Sequence, residues 1–270
     1  IYLHPKVLTA SYASLEEIRK ALMDFKASGK WIIAYGDQYT QDMYYLASVA
    51  DKIIVNPQGT ISWHGLASQS IFFKDVLNKL GIEMQIFKVG TYKSAVEPFI
   101  ATEMSPANRE QVTAFLHSTW NQIISDIAAS RSMSTDELNN LADQLMDLKP
   151  AEEYIANGLA DTLMYQDEVL NFLKDKMGYE SDESLNTLTL EDMKNVKRNT
   201  PLHKSGNIIA VYYAYGGIDD NTSMEEGIVS EKVIQDLRKL REDKTVKAVV
   251  LRVNSPGGSV LASEKIKAQV

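Results

Sequence analysis

The stretch Trp31-Ile32-Ile33-Ala34-Tyr35-Gly36-Asp37, with Gln41 to Ala50 and Ile53-Ile54-Val55 behind it, decides the fold class. Its first and last parts are short apolar runs bounded by turn residues, the pattern of buried strands. Between them Tyr44, Tyr45, Leu46 and Val49 recur as on a helix. Upstream, Ser14-Leu15-Glu16-Glu17 reads as a capping box, and Leu15, Ile18, Leu22 and Phe25 share one helical face until Gly29. Downstream, a helix from Ile71 to Leu80 stops at Gly81, and the alternating Met84-Gln85-Ile86-Phe87-Lys88-Val89 predicts a further strand. Strands and helices in alternation predict an α/β domain with a largely parallel sheet.

The remainder extends that pattern. Ser105-Pro106 opens a long helix with a cap residue and a proline at its first position, followed by the stripe Val112, Phe115, Leu116, Trp120, Ile123, Ile124 and Ile127. Ser134-Thr135-Asp136-Glu137 is a second capping box, and Tyr154 to Asp161 reads as helix, glycine stop and strand. From Gly178 to Ser205 the chain turns polar, which predicts a first unit over 1–177, a linker over 178–205 and a second unit over 206–270. In the second unit, Ile208 to Tyr213, Ser230 to Glu242 and Val246 to Val253 form a strand–helix–strand unit. It runs into Asn254-Ser255-Pro256-Gly257-Gly258-Ser259-Val260, and Ala262-Ser263-Glu264 then begins a helix. Ala13-Ser14 with Ile18, Lys20 and Ala21 resembles Ala262-Ser263 with Ile266, Lys267 and Ala268, as if the chain spans one period of a two-unit protein.

Composition narrows the function classes. The 270 residues are 44% hydrophobic and 24% charged, with a net charge of -8, which argues against a nucleic-acid surface. The basic cluster Lys194, Lys197, Arg198 and Lys204 falls in the expected linker. Without cysteine there is no disulfide or thiolate metal site, and His4, His64, His117 and His203 lack metal-ligand spacing, so neither metal nor cofactor is expected. No apolar run reaches the roughly 18 residues of a membrane span, so the chain is expected to be soluble. The start lacks both an initiator Met and a signal-peptide layout, as in a processed or excised piece.

Two stretches carry chemistry. Gly90-Thr91-Tyr92-Lys93-Ser94 delivers Lys93 among small or apolar neighbours, where burial would lower its pKa and make it a general base; a surface lysine is the plainer reading. Pro256-Gly257-Gly258, between strand and helix, exposes Cβ-free backbone at the C-terminal edge of a sheet. Two amides there can form an oxyanion hole, each worth roughly 10²–10³ in rate; a plain tight turn is the alternative. The glycine spacing of a dinucleotide or phosphate loop is absent.

Gly90 to Phe99 and Leu251 to Val260, together with Tyr44-Tyr45-Leu46-Ala47-Ser48 and Met104-Ser105-Pro106, resemble the signature stretches of the signal peptide peptidase A (protease IV) family, peptidase family S49, in its long tandem form. That resemblance implies a Clp-protease/crotonase-like fold of repeated β-β-α units in tandem, with a helical linker or extension. It implies a Ser/Lys serine peptidase cleaving hydrophobic remnants of signal peptides, with Lys93 as general base, Gly257 in the oxyanion hole and Gly258 against the substrate. It further implies a homo-oligomer at a bacterial cell membrane, mostly extracytoplasmic, through an anchor outside this chain. The family's serine follows the Gly-Gly turn by a few tens of residues, beyond Val270, so the chain alone is expected to be inactive. The equivalent place in the first unit is Thr40-Gln41-Asp42, with no serine. Ser255 and Ser259 are poor substitutes inside the turn, and Ser94 reads as support. The competing readings are a non-catalytic assembly scaffold and acyl-CoA chemistry on the same fold.

Overall fold

A computed structural model describes residues 1–194, 196, 206–220 and 227–270, which form two compact units, Ile1–Asn186 and Thr187–Val270. Lys197, Arg198, Lys204 and His203, with most of the C-terminal half of the expected linker, lie outside the described residues.

In the first unit, β1 (Tyr2–Leu3), α1 (Tyr12–Ala27), β2 (Ile33–Tyr39), α2 (Gln41–Ala47) and β3 (Lys52–Ile61) follow in order. Then come α3 (Lys74–Lys79), α4 (Glu97–Ile100), α5 (Pro106–Arg131), α6 (Thr135–Asp143), α7 (Glu152–Ala156), β4 (Thr162–Leu163) and α8 (Gln166–Met177). The strands make one parallel sheet in the order β1-β2-β3-β4. Side-chain alternation divides its two faces. Ile32, Ala34, Ile53 and Val55 join the core with Leu15, Tyr44, Ile127 and Leu138, whereas Ile33, Tyr35 and Ile54 meet Val169 and Leu173 of α8 on the other face. A parallel sheet covered on both faces accounts for the continuous apolar runs of β2 and β3. Leu185, in the polar stretch after Gly178, packs against the α8-side cluster.

The structure corrects several expectations. Helix α1 is capped by Ser11, whose hydroxyl accepts the Ser14 N–H, and not by Ser14. Strand β3 does not end at Asn56-Pro57: Asn56 to Gly59 bulge out and pairing with β2 resumes at Gln38↔Thr60. A proline fits there because the bulge requires no ladder N–H from it. Residues 82–89 form no strand, and the preceding helix is confined to Lys74–Lys79. In α5 only the C-terminal part of the stripe, Ile123, Ile124 and Ile127, is buried, while Phe115 is exposed.

In the second unit, after α9 (Leu190–Met193), β5 (Ile208–Tyr215), β6 (Ile218–Asp219), β7 (Ile228–Val229), α10 (Ser230–Glu242), β8 (Val246–Asn254) and α11 (Val260–Lys267) follow. β5 pairs in parallel with β8, and β6 with β7. Ala214, Ile228, Val233, Leu237 and Ile266 form a small core. Helix α11 begins earlier than expected, at the cap Ser259. Ile18 is exposed where Ile266 is buried, so the likeness between α1 and α11 does not extend to matched packing faces.

Candidate active site

The glycine turn is built by backbone. Ile218 of β6 donates its N–H to the Gly257 carbonyl at 3.0 Å, and Ser259 donates its N–H to the Ile218 carbonyl at 2.8 Å. Gly258 is therefore bridged to β6, and a Cβ on it would lie 2.1 Å from the Ile218 oxygen. Gly257, at φ +107°, has open space around its Cα. The Gly257 N–H is taken by the Ser255 hydroxyl at 3.1 Å, while the Gly258 N–H has no partner among the described residues. Gly258 thus offers a donor free to receive an oxyanion, and Gly257 one that must leave Ser255 to do so. Ser259 caps α11 by accepting the Ala262 N–H at 3.2 Å. Both turn serines already hold backbone amides.

Lys93 stands in the first unit, on the turn after Gly90, whose φ is +106°. The turn is fixed by its flanks. Tyr92 donates to Glu110 at 3.1 Å, the ring of Phe99 stacks on that of Phe73 at 6.0 Å, and Glu97, 5% exposed, accepts from Ser105 and from Asn108 at 3.0 Å. The Ser105 hydroxyl, ahead of its N–H and the Asn108 amide, holds the Glu97 carboxyl below the usual range against the opposing effect of burial. The carbonyl of Ser94 accepts the Glu97 N–H at 2.9 Å. The lysine itself is exposed, as are Phe87 at 94% and Val89 at 91%. The burial expected around Lys93 is not supplied by this unit, because residues 82–89 find no strand to pair with. Lys93 belongs to one unit and Gly257 and Gly258 to the other.

Gln41 is the first residue of α2, in the Thr40-Gln41-Asp42 stretch near which the resemblance expects the first unit's counterpart of the serine. Its amide oxygen accepts the His64 and Gly65 N–H groups at 3.2 and 3.0 Å, and its nitrogen donates to the Gly65 carbonyl and the Tyr12 hydroxyl. All four hydrogen-bonding capacities of the amide are used, so the cavity of about 410 Å³ beside it gains no free polar group from Gln41. A further cavity, of about 510 Å³, opens among His4, Lys6, Asp37, Gln38, Asn56 and Gln58, and no hydroxyl or thiol side chain lines it. Among the described residues no cluster of three His, Asp or Glu side chains is placed to hold a metal, and no helix is long and apolar enough to cross a membrane. The anchoring hydrogen bonds of Glu97 and Gln41 were not legible in the sequence, because the fold decides where their partners lie.

Comparison with known proteins adds an independent line. The model of "Peptidase family S49" matches residues 24–180. The chain is 37% identical to Protease 4 of Salmonella typhi over 97% of its own length and 43% of that protein's, and 36% identical to Protease 4 of Haemophilus influenzae over 96% and 43%. It is 30% identical to the chloroplastic serine protease SPPA of Arabidopsis thaliana over 98% of its own length and 39% of the relative's. It thus spans about two fifths of the length of the curated relatives it matches. The chain belongs to peptidase family S49, and its mixed α/β architecture with a parallel sheet is consistent with that family's fold.

Proposed function

We propose that this S49 member forms part of a serine peptidase of tandem crotonase-like units, in which Lys93 is the general base and the amides of Gly257 and Gly258 receive the oxyanion. The observation that carries the reading is the Gly258 N–H, unpartnered among the described residues, on a turn clasped to β6 by two backbone hydrogen bonds. Donors fixed in advance and aimed at developing charge need no reorganisation during reaction. The chain's own hydroxyls near the turn are engaged, and Gln41 carries none, which supports a nucleophile from outside residues 1–270 and an inactive isolated chain.

In this mechanism a neutral Lys93 takes the proton of a serine hydroxyl, whose oxygen attacks the scissile carbonyl. The negative charge on the carbonyl oxygen falls to the glycine amides. Collapse breaks the C–N bond as the lysine ammonium returns its proton to the leaving amine, and water, activated by the same lysine, releases the acyl group. The exposure of Lys93 in its own unit requires that the assembled protein cover it. By resemblance, the substrates are hydrophobic remnants of signal peptides, the assembly is a homo-oligomer, and the working site is the extracytoplasmic face of a bacterial membrane, reached through an anchor outside this chain. The same exposure of Lys93 favours, as a second reading, a non-catalytic scaffold.

Labelling separates the two. A protein of the relatives' full length is expected to take up one serine-directed phosphonate per chain and lose peptide hydrolysis as it does so. A protein that hydrolyses peptide yet never takes up the reagent, or that does neither, overturns the Ser/Lys reading.

A further inference from the structure

Beside the glycine turn, three elements of the second unit converge on one carboxylate. Asp220, directly after β6, accepts the Ser230 hydroxyl on one oxygen and the Lys265 ammonium, at 3.0 Å, on the other. Ser230 is the first residue of α10 and is buried, and Lys265 lies on α11, the helix that leaves the turn. The strand preceding Asp220 is the one whose Ile218 holds Gly257 and Ser259.

Serine, lysine and aspartate together invite a reading as a second catalytic set, and the geometry argues against it. The Ser230 proton points to a carboxylate, not to an amine, and the hydroxyl is buried at 2% exposure, so neither a base nor a substrate carbonyl has access to it. The Ser230 hydroxyl, followed by the Lys265 ammonium, holds the Asp220 carboxyl below its ordinary range, so it is charged at neutral pH. What the cluster does is mechanical. β6 and β7 are two residues each, too short to hold a turn by pairing alone, and the bracket joins them to two longer helices.

We propose that Asp220 is a positioning residue that fixes the Gly257–Gly258 amides by tying β6 to the start of α10, through Ser230, and to the last turn of α11, through Lys265. The proposal rests on the reading of this turn as an oxyanion hole. Placement matters there, since a shift of about 1 Å at a reacting centre costs on the order of 10²-fold in rate.

Amide hydrogen exchange in Asp220→Ala tests the mechanical part on this chain without any catalysis. The Ile218 and Ser259 amides are expected to exchange about tenfold faster or more, while those of the β5–β8 ladder are unchanged. Asp220→Asn, which keeps the shape and can still accept from Ser230, gives a smaller change in the same direction. In a protein of the relatives' full length, Asp220→Ala lowers kcat about tenfold with KM within about twofold, the pattern of a lost transition-state interaction. Unchanged exchange at both amides, acceleration of the whole unit in step, or an unaltered kcat each overturns the proposal. Failure of the wild-type protein to take up a serine-directed phosphonate sinks the peptidase reading instead, and the exchange measurement still decides whether Asp220 holds the turn.

Discussion

The two turns proposed to share one active site are held in different ways. At Pro256–Gly258 the neighbouring strand grips the backbone itself, and the free donor belongs to that backbone. At Gly90–Ser94 the grip is on the flanks, through Tyr92, Glu97 and Phe99, and the side chain of interest is exposed. The first unit does bury one cation. Arg19, 5% exposed, donates to the Tyr45 and Asp126 carbonyls and to the Ser48 and Ser130 hydroxyls, joining α1, α2 and α5, and burial lowers its pKa despite the Tyr45 and Asp126 side chains. Lys93 has no such nest. A backbone donor is preorganised by its own unit, whereas a side-chain base takes its environment from whatever comes to cover it.

Three substitutions probe that contrast. The larger effect is expected from Gly258→Ala, because the new methyl would overlap the Ile218 carbonyl. Peptide hydrolysis by a protein of the relatives' full length should fall by about 10²–10³-fold, the worth of one oxyanion donor. Gly257→Ala, which meets no neighbour and bears only the strain of its positive φ, should cost less. Equal activity in all three proteins would remove the turn from the mechanism.

The smaller effect concerns the flank of the lysine turn. The folded-state pKa of Glu97 lies below its unfolded value, so its contribution is present above the ordinary carboxylate range and is lost as pH falls through the folded value. Limited proteolysis across a pH series should find residues 90–104 increasingly cut as the medium is acidified. In Glu97→Gln that pH dependence should vanish, and an identical profile in both proteins would show that Glu97 does not anchor the turn.

Much of the fold was legible because its signals are local. Ser105 with Pro106 and the Ser134–Glu137 capping box depend on residues a few positions apart. The alternation of Met84 to Val89 misled, because a strand pattern becomes a strand only where a partner presents its ladder, and this segment has none in its unit. Asn56-Pro57 misled for the converse reason: the bulge lets β3 pass a proline and pair again. The buried polar anchors were invisible, since the partners of Arg19 lie 26 to 111 residues away. At the candidate site, the glycine turn was readable as a strand-to-helix junction. Its clasp by Ile218 and the bracket on Asp220 were not, because both depend on how β6 lies against α10 and α11.

The most direct test of a base and backbone donors acting on one carbonyl is the rate of peptide hydrolysis by Lys93→Ala in a protein of the relatives' full length. A fall of about a thousandfold is expected, within the range that general acid–base catalysis supplies, with the chain still folded. Hydrolysis at the wild-type rate would contradict it.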